Sequence, residues 1–457
     1  MERNTFTTVI GWIAAGLLVS KSVIADSAAA DASNLDIELT RLIKAQNISS
    51  IYSDKGQSTE KVALGRALFF DKVLSGSGDI ACATCHHPNL HSGDDLSLSI
   101  GVGGDGLGYE RKLGKARPLI PRNAPEIFNR GASQWRTMFW DGRVEIAADG
   151  HRISPADEKL PADKLENIVA MQAMFPVTSR HEMRGRKGDL DVSGQPNTLA
   201  AIGDTDFEEI WERVMGRVLA IPEYVALFKQ AYPELATDEL HYAHAANALA
   251  AFQTKSFTFE DSPWDRYLRG EQAALPEAAK QGAILFYGSA GCSSCHSGAL
   301  MTDQKFYNLL VPQIGPGHRD SSGFDIGRAR VTDQKKDAFA FRTPPLRNVA
   351  ITGPWMHNGS YMSLEAVIEH HAKPLEMLQA YDASQLDPSV KKTFRLNTST
   401  ILVMSQTFSP EINVVPELNS QETEQLIAFL ESLTSPSTQD LSYLVPQTVP
   451  SGLPVDR

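Results

Sequence analysis

Four cysteines and the two histidines that follow them concentrate the chemistry of this chain. Cys82-Ala83-Thr84-Cys85-His86 and Cys292-Ser293-Ser294-Cys295-His296 are two copies of C-x-x-C-H, and together they use every cysteine in the sequence. Two thiols at this spacing form thioethers to haem vinyl groups, and the next residue, histidine, is placed to ligate the iron. The pattern is the attachment signature of c-type haem. A single C-x-x-C would also suit a redox dithiol or half of a zinc site. A histidine directly after each pair, with no cysteine left over, favours two covalently bound haem c groups. The polypeptide's task is then to decide what each iron can do.

The elements that must hold these motifs are mostly helical. Leu64-Gly65-Arg66-Ala67-Leu68-Phe69-Phe70 precedes the first motif and Gln281-Gly282-Ala283-Ile284-Leu285-Phe286-Tyr287 the second. Each reads as a short amphipathic helix that delivers the chain to C-x-x-C-H, and the repetition predicts two related haem domains. Gly101 to Gly108 is a glycine-rich loop with no Lys-Ser/Thr after it and no βαβ context, so it is read as a loop near the first haem and not as a phosphate cradle. Residues 207 to 256 carry helical periodicity, and His241 and His244 fall within it as packing or surface residues. No stretch is convincingly β-rich. The predicted fold is mainly α, with two cytochrome-c-like haem domains and long loops. The expected division is residues 36–265, an N-terminal haem domain, and residues 266–434, a C-terminal haem domain. Residues 435–457 form a Pro/Ser/Thr-rich extended tail, loose or strapped over the body.

At 457 residues the chain has room for two or three domains. Its formal charge of −12 argues against nucleic acid as a partner. The charge permits a basic redox partner, and a solvated acidic surface explains it equally well. Residues 1–25 read as a secretory signal peptide: Arg3, an apolar stretch from Val9 to Val19, and Ser22-Val23-Ile24-Ala25 as the cleavage region. The alternative is a retained anchor, but the stretch is short of the roughly 20 residues a span needs. Cleavage near Ala25 would leave no stable membrane span. Export to the periplasm agrees with c-type haem, which is loaded outside the bacterial inner membrane.

Ordered blocks over most of the chain resemble the bacterial dihaem cytochrome c peroxidase family, including its MauG-type branch. They are Leu64 to Asp71, Cys82 to His86, Pro121-Arg122-Asn123, Phe139-Trp140-Asp141-Gly142-Arg143, Glu182-Met183, Cys292 to His296, and Phe341 to Val349 running into Thr352 to Gly359. The resemblance implies that His86 ligates a peroxidatic iron and His296 an electron-relay iron. It implies that Trp140 lies between the haems, and that Glu182, Pro176 and Gln172 form the distal pocket of the first. Glu182 would then serve as the base and acid of peroxide cleavage. A longer insertion separates Trp140 from Gln172 than in the family, and the plainer reading of Glu182 is a surface carboxylate. Asn123, Thr352 and Pro354 match the family's calcium contacts, with an ordinary polar turn as the alternative.

Two ligand positions set the subclass. Where many family members carry a distal histidine on the first haem, this chain has Val102. The expectation is an iron with an open sixth site, with His91 as the residue that would overturn it. The sixth ligand of the second haem lies fourteen residues after the His357 block in the family, which is His371 here. Leu364, Val367, Ile368 and His371 share one helical face. Met377 and Met362 are the competing ligands, and His370 is expected to point elsewhere, toward solvent. The leading expectation is a periplasmic peroxidase that reduces hydrogen peroxide with electrons from a small cytochrome c or cupredoxin. MauG-like oxidation of a partner protein residue is the alternative, and a non-catalytic dihaem electron carrier is the alternative of another class.

Overall fold

A computed structural model describes residues 1, 34–51, 56–317 and 323–457. Apart from Met1, the proposed signal peptide, residues 1–25, lies outside the described residues. The chain is mainly helical, and the helices form two bodies, each built around a crossed pair. In the first body Thr59–Phe70 crosses Tyr242–Ser256, and in the second Glu277–Tyr287 crosses Ser420–Glu431.

The crossings are made the same way. A Cβ on Gly65 would lie 1.9 Å from the carbonyl oxygen of Ala248, and a Cβ on Gly282 would lie 1.8 Å from that of Gln425. Only glycine lets the backbones approach this closely. Four residues after each glycine stands a phenylalanine, and its ring meets a phenylalanine of the partner helix. Phe69 and Phe252 are 5.2 Å apart between ring centres, and so are Phe286 and Phe429. The repeat seen in the sequence is therefore a repeated helix crossing, and it includes partner helices that the sequence did not reveal as related.

Both ends of the described chain cross between the bodies. The helix at residues 34–45 buries Leu39 and Leu42 in the second core, with Trp264, Phe286 and Phe429. Asp36 on this helix accepts from Tyr267 (2.9 Å) and pairs with Lys280 (2.7 Å). Residues 36–45, assigned from sequence to the first domain, thus pack on the second, because their apolar face matches that core. In the other direction the tail crosses to the first body, with Leu441, Leu444 and Val449 in its core. Ser451 is bonded to buried Asp71 through its amide (3.1 Å) and its hydroxyl (2.6 Å). Asp456 pairs with Lys72 (2.5 Å) and accepts from Thr84, inside the first C-x-x-C-H. Of the two tail conformations left open by the sequence, the strapped one is observed.

The β structure is small. A three-stranded antiparallel sheet runs through Thr137–Met138, Val144–Ile146 and Arg152–Ile153, and Phe306–Tyr307 pairs with Phe341–Arg342. The turn of the first hairpin is Phe139-Trp140-Asp141-Gly142-Arg143. It is pinned from the second body, where the Arg342 amide donates to the Trp140 carbonyl (2.8 Å). Arg122 ties the same region together, pairing with Asp141 (2.8 Å) and Asp325 (2.6 Å).

Candidate active site

Each C-x-x-C-H motif opens on its own cavity, so the two cysteine pairs do not converge as halves of one zinc site. In both cavities the histidine is prepared alike. His86 Nδ1 lies 3.2 Å from the Ser92 carbonyl oxygen, and His296 Nδ1 lies 3.3 Å from that of Met301. A carbonyl only accepts, so each Nδ1 carries the proton and each Nε2 is left as a lone pair. Burial pushes both imidazoles down to about 4, which keeps them neutral and able to bind metal. Such hydrogen bonds would orient a metal-ligating histidine.

The first cavity gathers Cys82, Cys85, His86, Gln172, Pro176, Glu182 and Trp140. Gln172 comes from the helix Ile168–Ala173, capped by the Asn167 side chain on the Ala170 amide (3.0 Å). Pro176 begins the next turn. Glu182 sits in a single π turn, Arg180–Arg184, a rare geometry associated with functional sites. The glycine-rich loop braces that turn. The Val102 amide donates to the His181 carbonyl (3.2 Å), and a Cβ on Gly101 would lie 1.8 Å from the same oxygen. Arg111 pins the loop by donating to the carbonyls of Ile100, Gly101 and Gly106.

Glu182 is half-buried on the cavity wall. Burial raises its carboxyl above the usual range, partly offset by the nearby Arg143 guanidinium. Ile120, Pro121, Arg143 and Glu182 also line a second, more open cavity, so they stand where the haem cavity meets an outer one. Of the histidines among the described residues, only His86 lines the first cavity. Val102 is buried in the core, and His87 is held by the Asp456 carbonyl (3.3 Å) and the Asn89 amide (3.2 Å). His91 closes a short turn in left-handed backbone and does not line the cavity.

The second cavity holds Cys292, Cys295, His296 and His371, among largely apolar residues. The His296 and His371 ring centres lie 6.5 Å apart, with the ring planes inclined at 60°. Two imidazoles bound to opposite sides of one metal, with bonds of about 2.0 Å, have ring centres roughly 6 Å apart. The spacing therefore fits one metal between them. His371 Nδ1 donates to the Val367 carbonyl (2.8 Å), which leaves Nε2 for coordination. Neither Met377 nor Met362 lines the cavity, and Met362 is exposed. His370 does point elsewhere, but not toward solvent. It is fully buried, accepting from the Tyr361 hydroxyl at Nδ1 (2.7 Å) and donating to the Leu309 carbonyl from Nε2 (2.7 Å). Both ring nitrogens have buried partners, which is why it is an internal strut and not a surface residue.

Trp140 and Arg342 line both cavities. Trp140 is 8% exposed, and its indole N–H donates to the Asn123 carbonyl (3.0 Å). Asn123 also donates from its amide nitrogen Nδ2 to Leu96 (2.8 Å), and its backbone N–H donates to His357 (2.9 Å), in the loop that follows Thr352 and Pro354. Its side-chain oxygen is left as an acceptor of the kind calcium takes. The arginines of the site were not singled out in the sequence. Arg143 and Arg342 lie inside blocks recognised for their neighbours; in the structure Arg143 stacks on Phe139, 3.6 Å from the ring centre.

The site and fold define a dihaem peroxidase, and comparison with known proteins agrees. The family model described as di-haem cytochrome c peroxidase matches residues 59–273. The methylamine utilization protein MauG of Methylorubrum extorquens is 33% identical over 354 residues, covering 76% of this chain and 79% of that protein. The cytochrome c551 peroxidase of Pseudomonas aeruginosa is 29% identical over 311 residues, covering 68% and 71%. The crystal structure of a MauG-like protein associated with microbial copper homeostasis superposes with a TM-score of 0.57 at 25% identity, covering 86% of this chain and 94% of that one. The chain belongs to the dihaem cytochrome c peroxidase family, in its MauG-type branch, and is a peroxidase-type oxidoreductase.

Proposed function

We propose that the protein is a periplasmic dihaem peroxidase that reduces hydrogen peroxide to water with electrons from a small cytochrome c or cupredoxin. The observation that carries this reading is the asymmetry of the two cavities. One is lined by a single histidine together with Glu182, Gln172 and Pro176, and the other by two histidines whose ring centres lie 6.5 Å apart. The haems supply the redox chemistry when bound, with His86 holding the first and His296 with His371 the second. Glu182 takes a proton from the near oxygen of peroxide and returns it to the departing one. Gln172 hydrogen-bonds near the reacting oxygen, and Pro176 narrows access. Two electrons and two protons complete the conversion of one peroxide to two waters, and Trp140 links the two centres.

Calcium is proposed at Asn123, through its side-chain oxygen and the carbonyls of Thr352 and Pro354. Among the described residues no helix is long and apolar enough to cross a membrane. A second reading, MauG-like oxidation of a partner protein residue, is favoured by one feature: only His86 among the described histidines reaches the first cavity, which suits an iron open at rest.

Rapid mixing with peroxide tests the main reading. The wild type should react quickly as isolated in the ferric state, and Glu182→Gln should load both haems but react slowly. An equal rate in the variant would remove Glu182 from the reaction. Low-temperature EPR of the oxidised protein should show one high-spin and one low-spin ferric signal. Two low-spin signals would mean that the first iron is capped.

A further inference from the structure

Arg342 is 2% exposed, lines both haem cavities, and has no carboxylate partner among the described residues. Its Nε donates to the Phe139 carbonyl (3.1 Å) and its Nη1 to the Thr343 carbonyl (3.1 Å), both neutral acceptors. Nη2 makes no hydrogen bond among the described residues. The nearby carboxylate, Glu126, is taken by Arg130 (2.7 Å). Arg130, Arg342 and Glu126 thus form a buried group with one net positive charge on the wall of the first cavity.

Other deeply buried cations differ. Arg122 is paired with Asp141 and Asp325, Arg347 with Asp265, and Lys280 with Asp36. Arg111 has no carboxylate, but three of its nitrogens are satisfied by carbonyls of the loop it pins. A buried guanidinium without a counter-charge is costly. Burial and the Arg130 charge push Arg342 down to about 9. The Arg342 guanidinium lies 5.2 Å from the centre of the Trp135 ring, and the nearby carboxylate, Glu126, is shared with Arg130.

We propose that Arg342 is a carboxylate-binding residue of the wall between the cavities, and that its ligand is a propionate side chain of a haem bound there. The proposal rests on the two-haem reading. The planar guanidinium fork matches a carboxylate in two-point geometry, which a lysine does not reproduce. It also places a fixed positive charge beside both redox centres. A positive charge favours the reduced iron, so Arg342 raises the potentials of both haems. The first haem is the one to read, because Arg130 and Glu126 line its cavity alone.

The test is spectroelectrochemical titration of the full-length protein carrying both haems. Arg342→Gln should keep two covalent haems and raise the ferric-to-ferrous ratio of the first haem about tenfold at fixed potential, a downward shift of ~59 mV for one electron. Arg342→Lys, which keeps the charge, should recover most of that shift. Glu126→Gln removes the lone negative charge and should move the first haem the opposite way. Loss of packing alone would not give opposite signs. Unchanged potentials in both Gln variants, or shifts of the same sign, would overturn the proposal. Should Arg342→Gln fail to load haem, Glu126→Gln decides: a first-haem potential equal to or below that of the wild type would overturn it. A wild-type potential that moves with phosphate at constant ionic strength would mean that a free anion occupies the guanidinium, and would also overturn it. Absence of haem from the wild type would instead refute the two-haem reading itself.

Discussion

The two haem cavities begin from the same parts and end with different chemistry. Each has a glycine-crossed helix pair, a C-x-x-C-H turn, and a histidine whose Nδ1 is committed to a carbonyl. They diverge in the rest of their lining. The first cavity presents Glu182 and Gln172 and adjoins an outer cavity, whereas the second presents His371 from an apolar wall. A duplicated scaffold thus prepares both C-x-x-C-H histidines, and on the proposed reading the rest of each cavity's lining decides whether a centre reacts or relays. In the function proposed above, one arrangement leaves room for a substrate beside a proton carrier, and the other would close the metal with a second imidazole.

The largest expected effect breaks the reactive side. Glu182→Gln should slow the first reaction with peroxide by about 10²- to 10⁴-fold, the usual worth of a positioned acid–base group. Its pH dependence sharpens the point. The carboxylate form is the base, and burial raises this carboxyl. The rate should therefore fall as pH drops through a value above the ordinary ~4.3 of glutamate. Stopped-flow mixing across pH measures both, and an acid limb below the ordinary value would contradict the burial argument.

The next effect makes the relay side less like itself. His371→Met should raise the potential of the second haem by a few tenths of a volt, within the roughly 0.8 V that axial ligands span. Redox titration reads the shift, and the first haem should change far less. A neighbouring substitution separates ligand from strut. His370→Ala leaves the Tyr361 hydroxyl and the Leu309 carbonyl without buried partners, which costs about 2–4 kcal/mol in denaturant unfolding. The low-spin spectrum should persist, since His371 is untouched. The smallest effect concerns the strap on the first motif. Asp456→Ala removes the partners of Thr84 and Lys72 and should cost about 1 kcal/mol in the same assay, with both haems still attached.

How much of this was legible depended on whether a residue's role is local. The cysteine spacing, the histidine after each pair and the helical face carrying His371 are short-range patterns, and the structure places each on its cavity. The Gly65 and Gly282 repeat was visible as similar strings, but Ala248 and Gln425, the backbones they admit, share no string. A helix crossing is a long-range contact with almost no side-chain requirement on the receiving side. His370 was misjudged because helical spacing shows that it faces away from His371 but cannot show what covers that face. Tyr361 and Leu309 do. Arg342 was passed over for the opposite reason, since an arginine in a sequence is read as surface until its burial is known.

The exchanged ends have a thermodynamic consequence. The helix at residues 34–45 completes the second core, while the strap through Leu444, Val449 and Ser451 completes the first. Neither body keeps its full core if the chain is divided near residue 265. Melting either one strips buried apolar surface and ion pairs from its neighbour, so the free energies of the two are not independent. Heat should register one cooperative transition where two haem domains joined by a simple linker would give two. Calorimetry of the intact chain then measures a property of the pair.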